Sequence, residues 1–246
     1  MSVGLQVAGS ITPVSVVDSL CQAIRDSVLD GRLAPGTALG EVAVAQAYGV
    51  SRLSAREALG LLVASGLLVR ERNRSAVLPR YSEADRAGLL DARLALESAA
   101  VRSVHLDPAV LDRLQGATQR LRSMADRADE RIIWRAELNF HRELVAAAGN
   151  PWLIRAYAPI EAAMFGAIVQ GSGGDSGLRL AVQHGRILRA LREGDRDLAA
   201  RELTDHLLSN DCRLERADAA APEGPQVSPQ AARASMDAAL RASSGA

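Results

Sequence analysis

The segment Gly49-Val50-Ser51-Arg52-Leu53-Ser54-Ala55-Arg56-Glu57-Ala58-Leu59 constrains this chain more than any other. A short helical stretch, Glu41–Tyr48, runs into Gly49, where the absence of a β-carbon permits a tight turn. Ser51 is placed to cap a new helix that buries Ala55, Ala58, Leu59, Leu62 and Val63, and Gly66 ends that helix. Two helices joined through so tight a turn meet at a steep angle, which leaves the N-terminal end of the second free to project. Arg52 and Arg56 are i and i+4 there, so both leave from one face.

The flanks complete a unit. Residues 14–30 predict an amphipathic helix through Val17, Leu20, Cys21, Ile24 and Val28, stopped by Gly31. Ala34-Pro35-Gly36 is a turn. Leu67–Glu71 and Ala76–Pro79 read as extended runs around a polar tip, Arg72-Asn73-Arg74-Ser75, which predicts a hairpin. Three helices and a hairpin make a winged helix-turn-helix over residues 14–80, preceded by a flexible stretch, 1–13.

Such a helix enters the major groove of double-stranded DNA, where a guanidinium can bond bidentately to guanine O6 and N7. Arg52 and Arg56 are the candidates for base contact, and the Ser51 and Ser54 hydroxyls can reach phosphate at the helix N-terminus. Charge agrees: Ser51 to Arg80 holds six arginines against Glu57 and Glu71, although the whole chain balances 29 basic against 29 acidic side chains. Every basic residue is arginine. Charge by itself favours a solvated helix face with Arg56 paired to an acid. The turn, the paired arginines and the hairpin together decide for DNA.

From Ser82 the strand signals vanish. Helical stretches follow near 83–105, 108–127, 130–148, 151–170, 176–193 and 195–215, broken at Asp107-Pro108, Gly149-Asn150-Pro151, Gly171 to Gly174 and Gly194-Asp195. Short connections predict an antiparallel bundle over 82–216, so the fold class is mostly α. Residues 217–246, rich in Ala, Pro, Ser and Gly, read as a disordered tail in which 229–241 can form a transient helix.

Several classes fall away. No run approaches the roughly 18 apolar residues of a membrane span. The first residues lack a basic stretch followed by an apolar one, which argues against secretion and for the cytoplasm. Cys21 and Cys212 belong to no CxxC pair, excluding a disulfide scaffold and a zinc ribbon, and Cys21 sits on an apolar face as a small core residue.

The bundle carries one polar pattern of interest. Glu137 and His141 are i and i+4, while His184 and His206 lie on the two following helices at similar depth if those run antiparallel. Three imidazoles and a carboxylate could converge on a divalent ion such as zinc, nickel, manganese or iron. Packed or hydrogen-bonded histidines explain the same spacing, and the residues alone leave both readings open. His105, at a helix end, reads as a helix-dipole contact, and Trp134 and Trp152 as bundle packing.

Asp30-Gly31-Arg32-Leu33-Ala34-Pro35-Gly36-Thr37, then Leu39, Glu41 and Gly49 through Leu59, resemble the GntR family of bacterial transcription regulators in order and spacing. The resemblance implies base contacts by Arg52 and Arg56 and makes Arg74 a wing contact in the minor groove. Ser54 stands where the family usually has Pro, and Ser75 where it has a wing Gly. Asp91 through Ala100, Phe140-His141, Ala148 through Pro151, and His184 leading to Asp195 resemble its FadR-like branch, whose helical effector domain is called FCD. That likeness implies a metal held by Glu137, where the family has Asp, with His141, His184 and His206. It also implies that Arg93 faces the cavity and engages a carboxylate effector, the alternative being an ion pair with Glu97 one turn on.

The expectation is therefore a homodimeric repressor that binds a palindromic operator and answers to a small organic or sugar acid. The rival is a metal-dependent helical-bundle enzyme fused to a DNA-binding head. It lacks a second Glu-x-x-His pair, HExxH, a nucleophile elbow and a P-loop.

Overall fold

The computed structural model describes residues 15–71, 74–124, 130–170 and 177–211. The segments expected to be flexible or disordered, 1–13 and 217–246, lie outside them. In the N-terminal part, α1 (Val16–Leu29), α2 (Glu41–Tyr48) and α3 (Arg52–Ala64) enclose a core that includes Leu20, Ile24, Val28, Leu59 and Leu62. Each fully buried aliphatic side chain there contributes on the order of 1.5–3 kcal/mol. Cys21 is buried among them, its thiol donating weakly to the Ala58 carbonyl at 3.6 Å.

The wing differs from the expected hairpin. Its strand β2 (Ala76–Val77) pairs antiparallel with β1 (Ala38–Leu39), a strand not anticipated from the turn that precedes it. The run Leu67–Glu71 contributes only a bridge from Val69 to Val77. Leu67 and Leu68 are consumed by the core, so their side chains face inward and only a short stretch is left to pair.

Six helices follow: α4 (Glu83–Ser103), α5 (Pro108–Ser123), α6 (Glu130–Ala146), α7 (Pro151–Gln170), α8 (Gly177–Arg192) and α9 (Arg196–Asp211). Their starts are written in the sequence. Ser82 and Asp85 form a reciprocal capping box, Asp107 caps α5 ahead of Pro108, and Asn150 Oδ1 accepts from the Trp152 amide at 3.0 Å. Helix α4 runs through the middle of the bundle against α6, α7 and α9, while α8 packs between α5 and α9. Trp134 packs partly buried beside Leu138 and Met164. Trp152 corrects the expectation of bundle packing: it is 71% exposed, with the Arg155 guanidinium 5.2 Å from its ring centre.

Head and bundle touch along α7. Ala162 and Phe165 pack against the head's core, and Gly66 lies on Pro159. Gly66 has φ +83°, and a β-carbon there would come within 3.3 Å of Pro159. Arg135 of α6 forms an ion pair with Asp26 of α1. Among the described residues no helix is long and apolar enough to cross a membrane.

Candidate DNA-reading surface and metal centre

Two places in the molecule concentrate polar chemistry. On the head, Gly49 takes up the left-handed conformation (φ +64°) that ends α2, and Ser51 caps α3 through its side-chain oxygen, 3.0 Å from the Ser54 amide. The Ser51 and Ser54 hydroxyls are also 2.9 Å from each other, so Ser51 is committed first to starting the helix. Arg52 and Arg56 leave the first turns of α3 on one exposed face. A motif residue to which the sequence assigned no role, Glu41, joins them. Glu41, in the first turn of α2, accepts from Arg56 Nε at 3.1 and 3.2 Å and from Arg52 Nε at 3.4 Å. Hydrogen bonding from Arg56 holds its carboxyl below the ordinary glutamate range. Leu53, which follows Arg52 on the first turn of α3, is 71% exposed. Arg74, at the wing, pairs with Glu71 at 3.1 Å where both are exposed.

Inside the bundle, Glu137, His141, His184 and His206 converge, each at most 1% exposed. Glu137 Oε1 lies 2.8 Å from His141 Nε2 and 2.9 Å from His206 Nε2, and Glu137 Oε2 lies 2.9 Å from His184 Nε2. The Nε2 atoms of His141 and His206 are 3.0 Å apart, and those of His184 and His206 3.3 Å. Helix geometry explains the first pair, since i and i+4 stack on one face. Antiparallel packing of α8 on α9 brings the other two to the same depth.

The outward-facing nitrogens decide the chemistry. His141 Nδ1 donates to Glu97 Oε2 at 2.6 Å. His206 Nδ1 lies 3.1 Å from Gln183 Oε1, an orientation fixed because Gln183 Nε2 donates to Ser209 Oγ at 2.9 Å. With its proton on Nδ1, a neutral imidazole turns a lone pair inward. Lone pairs of neighbouring histidines then face one another and a carboxylate, an arrangement a cation resolves. Donors held about 2.0–2.1 Å from one ion sit about 2.8–3.0 Å apart at right angles and about 3.3–3.4 Å apart in a tetrahedron, which brackets these separations of 2.8 to 3.3 Å. Glu137 Oε2 accepts no hydrogen bond despite its burial, a further sign that the four groups fit a divalent ion.

Electrostatics follow from burial and charge together. Burial pushes the Glu137 carboxyl up, but His184, His206 and His141 outweigh it and hold it well below the usual range. Burial pushes His184 down to about 3 and also lowers His206, with Glu137 opposing both. Burial and Arg93 press His141 down, yet Glu97 and Glu137 leave it above the ordinary value.

Around these four sits a network legible only in part. Arg93 is buried and bonds Glu97 through Nε at 2.6 Å, as the alternative reading had it. Its Nη2 reaches to 3.7 Å from Glu137 and makes no hydrogen bond, so the same side chain also points at the cluster. Tyr157 donates to Glu97 Oε1 at 2.8 Å. Glu97, attracted by His141 and Arg93 against the cost of burial, is held at about 2. Sequence hinted at Glu97 through its spacing from Arg93, and gave no sign of Gln183. Tyr157 gave no signal. Phe140 stacks on His184 with ring centres 3.7 Å apart, fixing the plane of that ring.

A helix-turn-helix head joined to a helical bundle with a buried polar centre defines a DNA-binding regulator. Residues 17–78 match the bacterial regulatory proteins of the gntR family and residues 88–209 match the FCD domain, and the chain belongs to that family. A regulator in an unstable DNA locus of Streptomyces ambofaciens is 30% identical over 81% of this chain and 85% of its own. A protein of Paenarthrobacter nicotinovorans named as a probable D-xylose utilization operon transcriptional repressor is 28% identical over 80% of this chain and 88% of its own. Escherichia coli McbR/YncC shares the fold, with a TM-score of 0.68 at 19% identity, over 83% of this chain and 99% of that one. A GntR-type structure from Rhodococcus sp. RHA1 gives 0.66 at 22% identity, over 81% and 97%. Family and relatives are transcriptional regulators, and the protein is a regulator, not an enzyme.

Proposed function

We propose that this regulator is a cytoplasmic repressor that binds a palindromic operator as a homodimer and releases it when a small organic or sugar acid binds the bundle. In this reading residues 14–80 read DNA and residues 82–216 bind the effector and dimerise. Arg52 and Arg56 reach bases from the shared face of α3, Ser51 and Ser54 lie against phosphate, and Arg74 reaches the minor groove. Glu137, His141, His184 and His206 hold zinc, nickel, manganese or iron. When bound, that ion supplies a Lewis-acidic centre that attracts oxygen donors.

One observation carries the metal and effector reading: inward lone pairs beside a buried guanidinium whose Nη2, 3.7 Å from Glu137, makes no hydrogen bond. Arg93 orients a carboxylate through its planar fork, and Glu97 and Tyr157 hold Arg93 in place. Because the cluster is sealed, an effector must shift its walls to enter, which gives it different affinity for two arrangements of the bundle. A hydroxyl beside the carboxylate adds a second donor, favouring hydroxy and sugar acids over simple fatty acids. The relative named for a D-xylose operon accords with a sugar-derived signal and with repression.

The test is operator release by a panel of acids and their amides with metal-loaded protein. Acids alone should release DNA, and Arg93→Lys should blunt the response while leaving effector-free DNA affinity near wild type. Release by neutral amides, or a normal response in Arg93→Lys, sinks the carboxylate clamp.

A further inference from the structure

A cleft of about 850 Å³ separates the head from the bundle. It lies within the roughly 300–1,000 Å³ range of small-molecule sites. Its walls come from both parts: Gln22, Arg25, Ser65 and Leu67 from the head, and residues of α5, α6 and α7 opposite. Glu137, His141, His184 and His206 are not among its lining residues.

Four arginines face this space, Arg25, Arg120, Arg135 and Arg142, against one lining carboxylate, Glu161. Arg135 is engaged from the side by Asp26, and Arg142 lies 3.6 Å from Glu161. Arg25 and Arg120 make no ion pair among the described residues. In a chain whose charges balance overall, this concentration of guanidinium groups in a concave, partly desolvated space focuses a positive field. Met124, Ile132 and Phe165 give the same cleft an apolar wall.

We propose that this cleft is a second ligand site, for a small organic phosphate, and that its occupant fixes the head against the bundle. A phosphate monoester carries about −1.5 to −2 charge and three acceptor oxygens, matching several planar forks where a single carboxylate would match one. The apolar wall receives the carbon skeleton, which distinguishes the site from one for inorganic phosphate. Contacts made to both walls exist only in this mutual arrangement, so the ligand favours it over others in proportion to those contacts.

The experiment is calorimetric titration of the full chain with ribose 5-phosphate, ribose and inorganic phosphate, after chelation and without DNA. Its outcome is therefore independent of the metal and operator readings. Ribose 5-phosphate should bind more tightly than inorganic phosphate, and ribose should not bind. Arg25→Gln and Arg120→Gln, which remove no ion pair, should each weaken it about tenfold. Amides of α1 and α7 should exchange more slowly in the complex. Absence of ribose 5-phosphate binding overturns the proposal, as do equal binding of ribose and unchanged affinity in both variants. Binding without slower exchange in α1 overturns the fixing of the head.

Discussion

Glu41 Oε1 accepts from Arg56 Nε at 3.1 Å, so the carboxylate that opens α2 sets the aim of an arginine on α3. The same carboxylate reaches Arg52 at 3.4 Å. Two flexible cations are thereby held side by side before any DNA arrives, which lowers the ordering cost of binding. Both arginines remain more than half exposed, so the pairs orient the groups and add little to fold stability.

Arg52→Ala and Arg56→Ala should each weaken operator binding by about 1–3 kcal/mol, with a much smaller loss on unrelated sequence. Titration of operator and scrambled duplexes at one salt concentration checks this. Equal losses on both duplexes would make the arginines phosphate contacts only.

Glu41→Gln removes one negative charge beside the arginines and frees their aim. Affinity for scrambled DNA should rise while the ratio of operator to scrambled affinity falls. An unchanged ratio would show that Glu41 positions nothing.

Glu97 keeps the His141 proton on Nδ1 and anchors Arg93. Glu97→Gln should reduce metal affinity by about 10- to 100-fold, the usual range for a partner behind a ligand. Competition with a chromogenic chelator measures it, alongside elemental analysis of wild-type protein purified without chelator. Metal retention equal to wild type would count against the role.

In chelated protein, stability should fall as pH drops from 6.5 toward 4. His184 faces Glu137, His141 and His206, with Phe140 stacked on it, and its folded value near 3 lies below the unfolded one. The unfolded chain therefore binds the extra proton first, and stability is lost at up to about 1.4 kcal/mol per pH unit in that window. His206 and Glu137, both lowered, act in the same sense, while the raised His141 loses its contribution only as pH rises above 6.5. Denaturant melts across pH test the sign. A metal saturating at 100 times its Kd should add about 2.7 kcal/mol at neutral pH.

Gly66→Ala should cost more than the usual glycine replacement, because it meets both a left-handed backbone and Pro159. About 1–3 kcal/mol is expected, read from thermal melts. A neutral result would mean that the head and α7 part freely.

Local information determined much of this protein. Ser51, Ser82, Asp107 and Asn150 mark helix starts because capping is settled within three residues, and the Gly49 turn needs only its missing β-carbon. Arg52 with Arg56, and Glu137 with His141, share faces by helix period alone. What crosses between elements was decided by packing. The ladder of β2 is made with β1, and the neighbouring run keeps only the Val69–Val77 bridge, because Leu67 and Leu68 were worth more inside the core. Glu41 meets Arg56 across fifteen residues, and Tyr157 meets Glu97 across sixty, pairings that no periodicity encodes. Whether three histidines would be packed singly or joined rested on the depth at which α8 and α9 set against α6, and only the bundle fixes that depth.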